Sequence, residues 1–268
     1  MKKLYTFLIA LAFVAVGCTD SVVSPDTEII EDELALTTLP ASVQHTALQS
    51  TAKTGSTAMV QVIHNSSEKA AKFVDVYVNG ALAIDNFKFR TAIPFVALPT
   101  DLEVAIAPRN SKSVHDAIAT FNFDLKAGEY YVVVAAGLLS ADPGFNLFPY
   151  APAKKESGDS DTVSLLAFHG SANAPTVDVV ARGVATLVDD FSFGEFQGYV
   201  DVPAKKYTLD VTLADQSATA ASFKADLRQL GGGAAVVLAT GLLGERPPFG
   251  LIAALPDGTV VRLPQIKH

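Results

Sequence analysis

From Ala58 onward, short apolar runs alternate with Gly, Pro, Asn and Asp. Phe73 to Val78 puts Val74, Val76 and Val78 on one face. Leu102, Val104 and Ile106 alternate with Glu103, Ala105 and Ala107. Tyr207, Leu209, Val211 and Leu213 share a face opposite Thr208, Asp210 and Thr212. A period of two over such lengths predicts half-buried antiparallel strands. Tyr131 to Leu139 and Ala234 to Leu243 are nearly continuous apolar runs, which suit central strands buried on both faces. Ala220 to Leu230 has a helical alternative, but the spacing of Phe223, Ala225 and Leu227 favours a strand. Turn signals at Asn79-Gly80, Ala127-Gly128 and Gly231-Gly232-Gly233 separate the runs. About seven or eight short strands in each stretch of about 95 residues predict a β-sandwich.

The pattern occurs twice. Residues 132–147 align with 236–251 at a shift of 104, with nine identities in sixteen positions. Ordinary composition gives about one by chance. Asp85, Phe87 and Phe89 recur as Asp189, Phe191 and Phe193, Pro99 as Pro203, and His64 as His169. The body is therefore a duplication: repeat one over 58–152, a polar linker over 153–161 and repeat two over 162–264. The reading is all-β, with two tandem immunoglobulin-like antiparallel β-sandwiches after a flexible tether. It predicts sandwiches that fold separately and share one topology, with Pro99 on Pro203 and Phe145 on Phe249.

The first 57 residues have a different texture. Lys2 and Lys3 precede thirteen uncharged residues, Leu4 to Val16. That run is too short for a bilayer core, which needs about 20 residues, and suits the apolar region of a secretory signal. It ends in Ala15-Val16-Gly17-Cys18, which resembles the bacterial lipobox, with Ala15 where Leu is usual. The resemblance implies a lipoprotein signal peptide over 1–17, cleavage before Cys18 and a diacylglyceryl group on its thiol. The competing reading is an ordinary signal peptide that happens to contain a Cys. Residues 18–57 read as an acidic, Ser/Thr-rich tether, with six acids between Asp20 and Glu33 and one base, Lys53.

Charge and composition narrow the function classes. The net charge is −8, and removal of residues 1–17, which carry two lysines and no acid, makes it −10. A nucleic-acid binder needs a basic surface, so no nucleic-acid partner is expected. The lipid, rather than a basic face, would hold the protein to the membrane. Cys18 is the only cysteine, which excludes intramolecular disulfides and thiolate zinc sites. The absence of Trp weakens a glycan-binding reading.

Repeat one opens with Val62-Ile63-His64-Asn65-Ser66 and continues with Val74-Asp75-Val76-Tyr77-Val78-Asn79-Gly80. Repeat two carries Phe168-His169-Gly170-Ser171-Ala172-Asn173-Ala174-Pro175-Thr176-Val177-Asp178-Val179. Both resemble the opening of the bacterial domain of unknown function 4397: His, a small residue, Ser, a short loop with Ala-Pro, then Val-Asp-Val and a Gly turn. Repeat one departs at Ser67 to Lys72, where the loop is longer and lacks Ala-Pro. The resemblance implies an exported, often lipid-anchored, immunoglobulin-like sandwich and no established activity.

His64 and His169 are the sharpest chemical candidates, each near a Ser (Ser66, Ser171) and an Asp (Asp75, Asp178). One reading is a hydrolytic triad. The other is a loop-closing histidine that bonds backbone or the Asp, with the Asp capping a loop. The second is favoured, because the corner occurs twice and neither copy has a Gly-x-Ser-x-Gly elbow. Glu156, Asp159 and Asp161 lack calcium-loop spacing, and His45, His115 and His268 show no metal-ligand spacing. No metal or cofactor is expected. Gly231-Gly232-Gly233 lacks the ending of a phosphate loop and reads as a turn. Phe145, Phe148 and Tyr150 suit a packed final strand better than an aromatic contact patch. The expectation is a lipid-anchored cell-envelope protein of non-catalytic type. Its partners would be the membrane, through Cys18, and envelope proteins or polysaccharide, through loops. The alternatives are an envelope hydrolase using the His/Ser/Asp corners, or a glycan-binding module.

Overall fold

The computed structural model describes residues 56–215 and 217–267. Cys18, the signal-like segment and nearly all of the acidic stretch lie outside them. Repeat one holds β1 (Thr57–His64), β2 (Phe73–Val78), β3 (Ala81–Lys88), β4 (Thr91–Ala92), β5 (Val96–Pro99), β6 (Asp101–Pro108), β7 (Ala119–Asp124), β8 (Tyr130–Ala136) and β9 (Asn146–Tyr150). Repeat two holds β10 (Thr162–His169), β11 (Val177–Ala181), β12 (Ala185–Phe191), β13 (Phe196–Pro203), β14 (Lys206–Leu213), β15 (Thr219–Asp226), β16 (Ala234–Thr240), β17 (Gly250–Ala254), β18 (Val260–Leu263) and β19 (Gln265–Ile266). Two single 3-10 turns, Lys69–Ala71 and Val114–Asp116, interrupt the strands of repeat one.

Each repeat is a two-sheet sandwich. In repeat one, β3-β2-β6-β7 faces β4-β1-β8-β9, with β5 also paired to β1. In repeat two, β12-β11-β14-β15-β19 faces β13-β10-β16-β17-β18. The topologies match, with β18 and β19 as additions. Thr57 pairs with Pro99 and Thr162 with Pro203, so the two prolines are equivalent. Phe145 N–H donates to the Leu138 carbonyl at 2.8 Å and Phe249 N–H to that of Leu242 at 2.9 Å, so these phenylalanines are equivalent too. Neighbouring strands run antiparallel except β1 with β8 and β10 with β16, which are parallel. The expected strand at Ala220 to Leu230 is β15, and its end at Asp226 is followed by a turn.

Alternate residues of the central strands feed different cores. Tyr131, Val133 and Ala135 of β8 belong to the interior of the first sandwich. Val132, Val134 and Ala136 face the other way and meet Leu166, Phe168, Val236, Leu238 and Ile252 of repeat two. The two sandwiches thus share a third core between their inner sheets. The expectation of separately folded sandwiches meets a docked pair here: the outward apolar faces of β8 and β16 are buried where the repeats pack together. Aromatic rings complete that core. Phe148 lies 5.3 Å from Phe168 and 5.8 Å from Phe193, and Tyr150 lies 5.1 Å from Phe196, between ring centres. Phe148 and Tyr150 are therefore a contact patch whose partner is the second repeat, whereas Phe145 packs on Phe121 within its own sandwich.

The linker follows the surface of repeat two. Ala153 is buried, Lys154 N–H donates to the Tyr199 hydroxyl at 2.8 Å, and Glu156 bridges to Gly233. Ser157 N–H donates to the Gly232 carbonyl at 2.9 Å. A Cβ at Gly231 would lie 2.3 Å from the Ser160 carbonyl, which is why the glycine run takes the linker so closely.

Candidate functional site

The two His corners are built alike. β1 and β10 end at His64 and His169, and both rings are fully buried. His64 Nε2 donates to the Ala71 carbonyl at 2.7 Å, and Nδ1 accepts the Ser66 N–H at 3.4 Å. Its ring packs against Phe87 and Phe89. Burial lowers its pKa to about 4, opposed by the hydrogen bond to Ala71. His169 Nε2 donates to the Pro175 carbonyl at 3.3 Å, its ring meets Phe191, and its Nδ1 has no partner. Burial lowers its pKa as well.

The serines point elsewhere. Ser66 Oγ donates to the Gly137 carbonyl at 2.7 Å and Ser171 Oγ to the Gly241 carbonyl at 2.9 Å. Each hydroxyl ties its corner to the end of the central strand of its own repeat. Activation of a serine needs its hydroxyl within about 2.6–3.2 Å of an imidazole nitrogen. Here both hydroxyls, and the Nε2 of both rings, are committed to backbone carbonyls.

The aspartates serve a different local geometry. Asp75 Oδ1 accepts the Asn86 N–H at 2.9 Å, and Asp178 Oδ1 accepts the Asp190 N–H at 2.9 Å. Asn86 and Asp190 have φ of 54° and 49° and lie at bulges in the β2–β3 and β11–β12 ladders. A bulge leaves an amide without a ladder partner, and the buried carboxylate supplies one. Asp75 Oδ2 also accepts the Ser111 N–H at 2.8 Å and the Ser111 hydroxyl at 2.7 Å. The Nε2 atoms of both histidines meet backbone carbonyls, at Ala71 and Pro175. In repeat two the Asp178 charge pushes the neighbouring Asp189 carboxyl up.

Among the described residues no group of three His, Cys, Asp or Glu is placed to hold a metal. His115 sits on the exposed turn Val114–Asp116; His45, His268 and Cys18 lie outside the described residues. Glu156, Asp159 and Asp161 remain on the linker surface.

Polar side chains without a sequence motif clasp the repeats. Asn65 Nδ2 donates to the Ala239 carbonyl at 3.0 Å, and Gln61 Nε2 to the Leu255 carbonyl at 2.7 Å. Arg90, at φ 62°, lays its guanidinium 4.8 Å from the Phe89 ring centre and donates to Thr240 Oγ1 at 3.2 Å and the Pro248 carbonyl at 2.6 Å. Burial lowers its pKa to about 10. The signal was the divergence of the repeats. Arg90 N–H donates to the His64 carbonyl as Gly194 N–H does to that of His169, so Arg stands where the other copy has Gly.

No curated protein matches the chain. A solved structure described as "Alpha-glucan binding by a streptococcal virulence factor" is 11% identical, over 68% of this chain and 92% of that one, with a TM-score of 0.23. A score that low carries no argument. The family described as "Domain of unknown function (DUF4397)" matches twice, over residues 58–180 and 162–253. The chain belongs to that family, and carries its domain in tandem.

Proposed function

We propose that this is an exported protein anchored by lipid at Cys18, and that its work is non-catalytic: it presents a rigid pair of sandwiches to a partner in the cell envelope. The observation that carries the non-catalytic part is the commitment of both corners, where His64, Ser66, His169 and Ser171 all bond backbone carbonyls. The anchor rests on Ala15-Val16-Gly17-Cys18 after an uncharged run of thirteen residues. Several acyl chains hold a protein to a bilayer durably, since each buried methylene adds about 0.8 kcal/mol.

The test is expression in a bacterium fed radiolabelled palmitate. The wild-type chain is expected to take up label, lose residues 1–17 and partition with membranes. The Cys18→Ala chain is expected to take up none and to leave the membrane fraction. Membrane retention of Cys18→Ala with residues 1–17 intact overturns the anchor. A hydrolase activity that disappears in Ser171→Ala at unchanged stability overturns the non-catalytic reading.

A further inference from the structure

The two sandwiches share a topology but differ inside at one end. Val60 pairs with Tyr131, and its counterpart Leu165 pairs with Ala235. Asp75 pairs with Ala107 and Asp178 with Thr212, which makes Leu102 the counterpart of Tyr207. Leu102 pairs with Phe123, and Tyr207 with Ala225. Two aromatic rings of the first sandwich are thus alanines in the second. In the first, the Tyr131 ring is buried, and its hydroxyl accepts the Lys126 N–H and donates to Glu129, both at 3.0 Å. The void that Phe123 lines there is only about 50 Å³. In the second, a cavity of about 690 Å³ opens where the rings are missing, with Ala225 and Ala235 in its wall.

We propose that this cavity binds a single-chain anionic amphiphile of the fatty-carboxylate class, with the chain between the sheets and the head at the mouth. The volume lies within the range of small-molecule sites, about 300–1,000 Å³. Leu165, Leu209, Leu227, Val237 and Leu263 give it apolar walls. A smaller apolar space of about 60 Å³ shares Leu165, Val202, Leu209 and Val237 with it, which extends the path inward along the sandwich. An apolar cavity takes apolar guests rather than water. Lys206, Lys224 and Arg262 also border it, against one acid, Asp226. Asp226 is already paired with Arg228 at 2.8 Å and with Lys206 at 3.8 Å. The positive excess in an acidic protein selects an anionic head. The proposal is independent of the anchor at Cys18.

The test is calorimetric titration of the purified protein with decanoate, decanol and decyltrimethylammonium, all below their micelle concentrations. Decanoate is expected to fill one saturable site per chain, at least about tenfold more tightly than the cation. Ala225→Phe and Ala235→Tyr each restore the ring of the first repeat and are expected to weaken decanoate by at least about tenfold with native circular dichroism. Lys224→Glu is expected to weaken decanoate and leave decanol unchanged. Should neither filled variant fold, a series from octanoate to hexadecanoate on the unmodified protein decides. Affinity that rises and then levels supports an enclosed site, and a rise without limit overturns it. No saturable decanoate binding, equal binding of the cation, or full binding in a folded filled variant also overturns it.

Discussion

Asp75 Oδ1 accepts the backbone N–H of Asn86 at 2.9 Å, reaching across a bulge to a residue eleven positions along the chain. Three donors converge on this buried carboxylate, two of them from Ser111. Hydrogen bonds to a charged acceptor contribute about 1.5–3 kcal/mol each in mutational series, and a buried amide left unpaired costs about 1–3 kcal/mol. Asp75→Ala is therefore expected to lower the stability of the protein by about 3 kcal/mol in urea unfolding. Asp75→Asn, which keeps an acceptor, is expected to cost less than half as much.

The equivalent corner of repeat two is less well matched to its charge. Asp178, Asp189 and Asp190 stand together, and the Asp178 charge pushes the Asp189 carboxyl up. Repeat one has Asn86 where repeat two has Asp190, both at positive φ. Asn adopts that conformation at least as readily as Asp. Asp190→Asn removes one carboxylate from this cluster and is expected to stabilise the protein slightly at neutral pH. The gain should fade in acid, where the carboxylates are neutral. A loss of stability at pH 7, read from the thermal midpoint, would refute this account of the corner.

His64 makes folding sensitive to acid. Its Nε2–H donates to a carbonyl while Nδ1 accepts an N–H, so the corner fits the neutral ring, and a proton on Nδ1 would face the Ser66 N–H. The folded-state pKa of about 4 lies below the ordinary value of 6.5. The unfolded chain thus binds the proton first, and stability falls as pH drops from about 6.5 to about 4, then levels for this group. One pKa unit corresponds to about 1.4 kcal/mol. This residue therefore accounts for a loss of about 3 kcal/mol across the window. His169 acts in the same direction. His64→Gln is expected to be less stable at pH 7 and to show a shallower decline between pH 6.5 and 4. Parallel profiles for the two proteins would contradict it.

The strands were legible because their alternation is an imprint of burial on one face. Val74, Val76 and Val78 all turn into the first sandwich, and β2 runs over the residues the alternation marks, Phe73–Val78. The buried polar corners were legible as polar residues in apolar runs, but their partners were not. Asn86 and Ser111 are loop or bulge residues whose pairing depends on how sheets fold back. The shared core was half legible. The runs at Val132–Ala136 and Val236–Leu238 announce burial on both faces, yet nothing in a run names what covers the second face. The cavity was invisible, because Ala225 and Ala235 read as ordinary core residues until set beside Phe123 and Tyr131.

The shared core is expected to make the two repeats one unfolding unit. Phe168 is fully buried, against Phe148 of the first repeat and Phe196 of its own. Removing a buried Phe side chain costs about 3–5 kcal/mol, so Phe168→Ala is expected to lower stability by that amount for the whole protein. Gly170 tests the same junction from the backbone. Its Cβ would fall 2.0 Å from Asn65 Nδ2 and 2.9 Å from the Ala239 carbonyl, the two groups that hydrogen bond across the repeats at 3.0 Å. Gly170→Ala must displace the Asn65 side chain and break that bond, and is expected to cost about 1–3 kcal/mol, the range for overpacking a well-filled site. In Asn65→Ala/Gly170→Ala the closer clash is removed with the amide, while the approach to the Ala239 carbonyl stays, so the double variant should lose less than the sum of the single ones. Calorimetry of the wild-type protein should give one transition, with equal calorimetric and van't Hoff enthalpies. Two resolved transitions, with Gly170→Ala shifting only the second repeat, would show that the junction does not couple them.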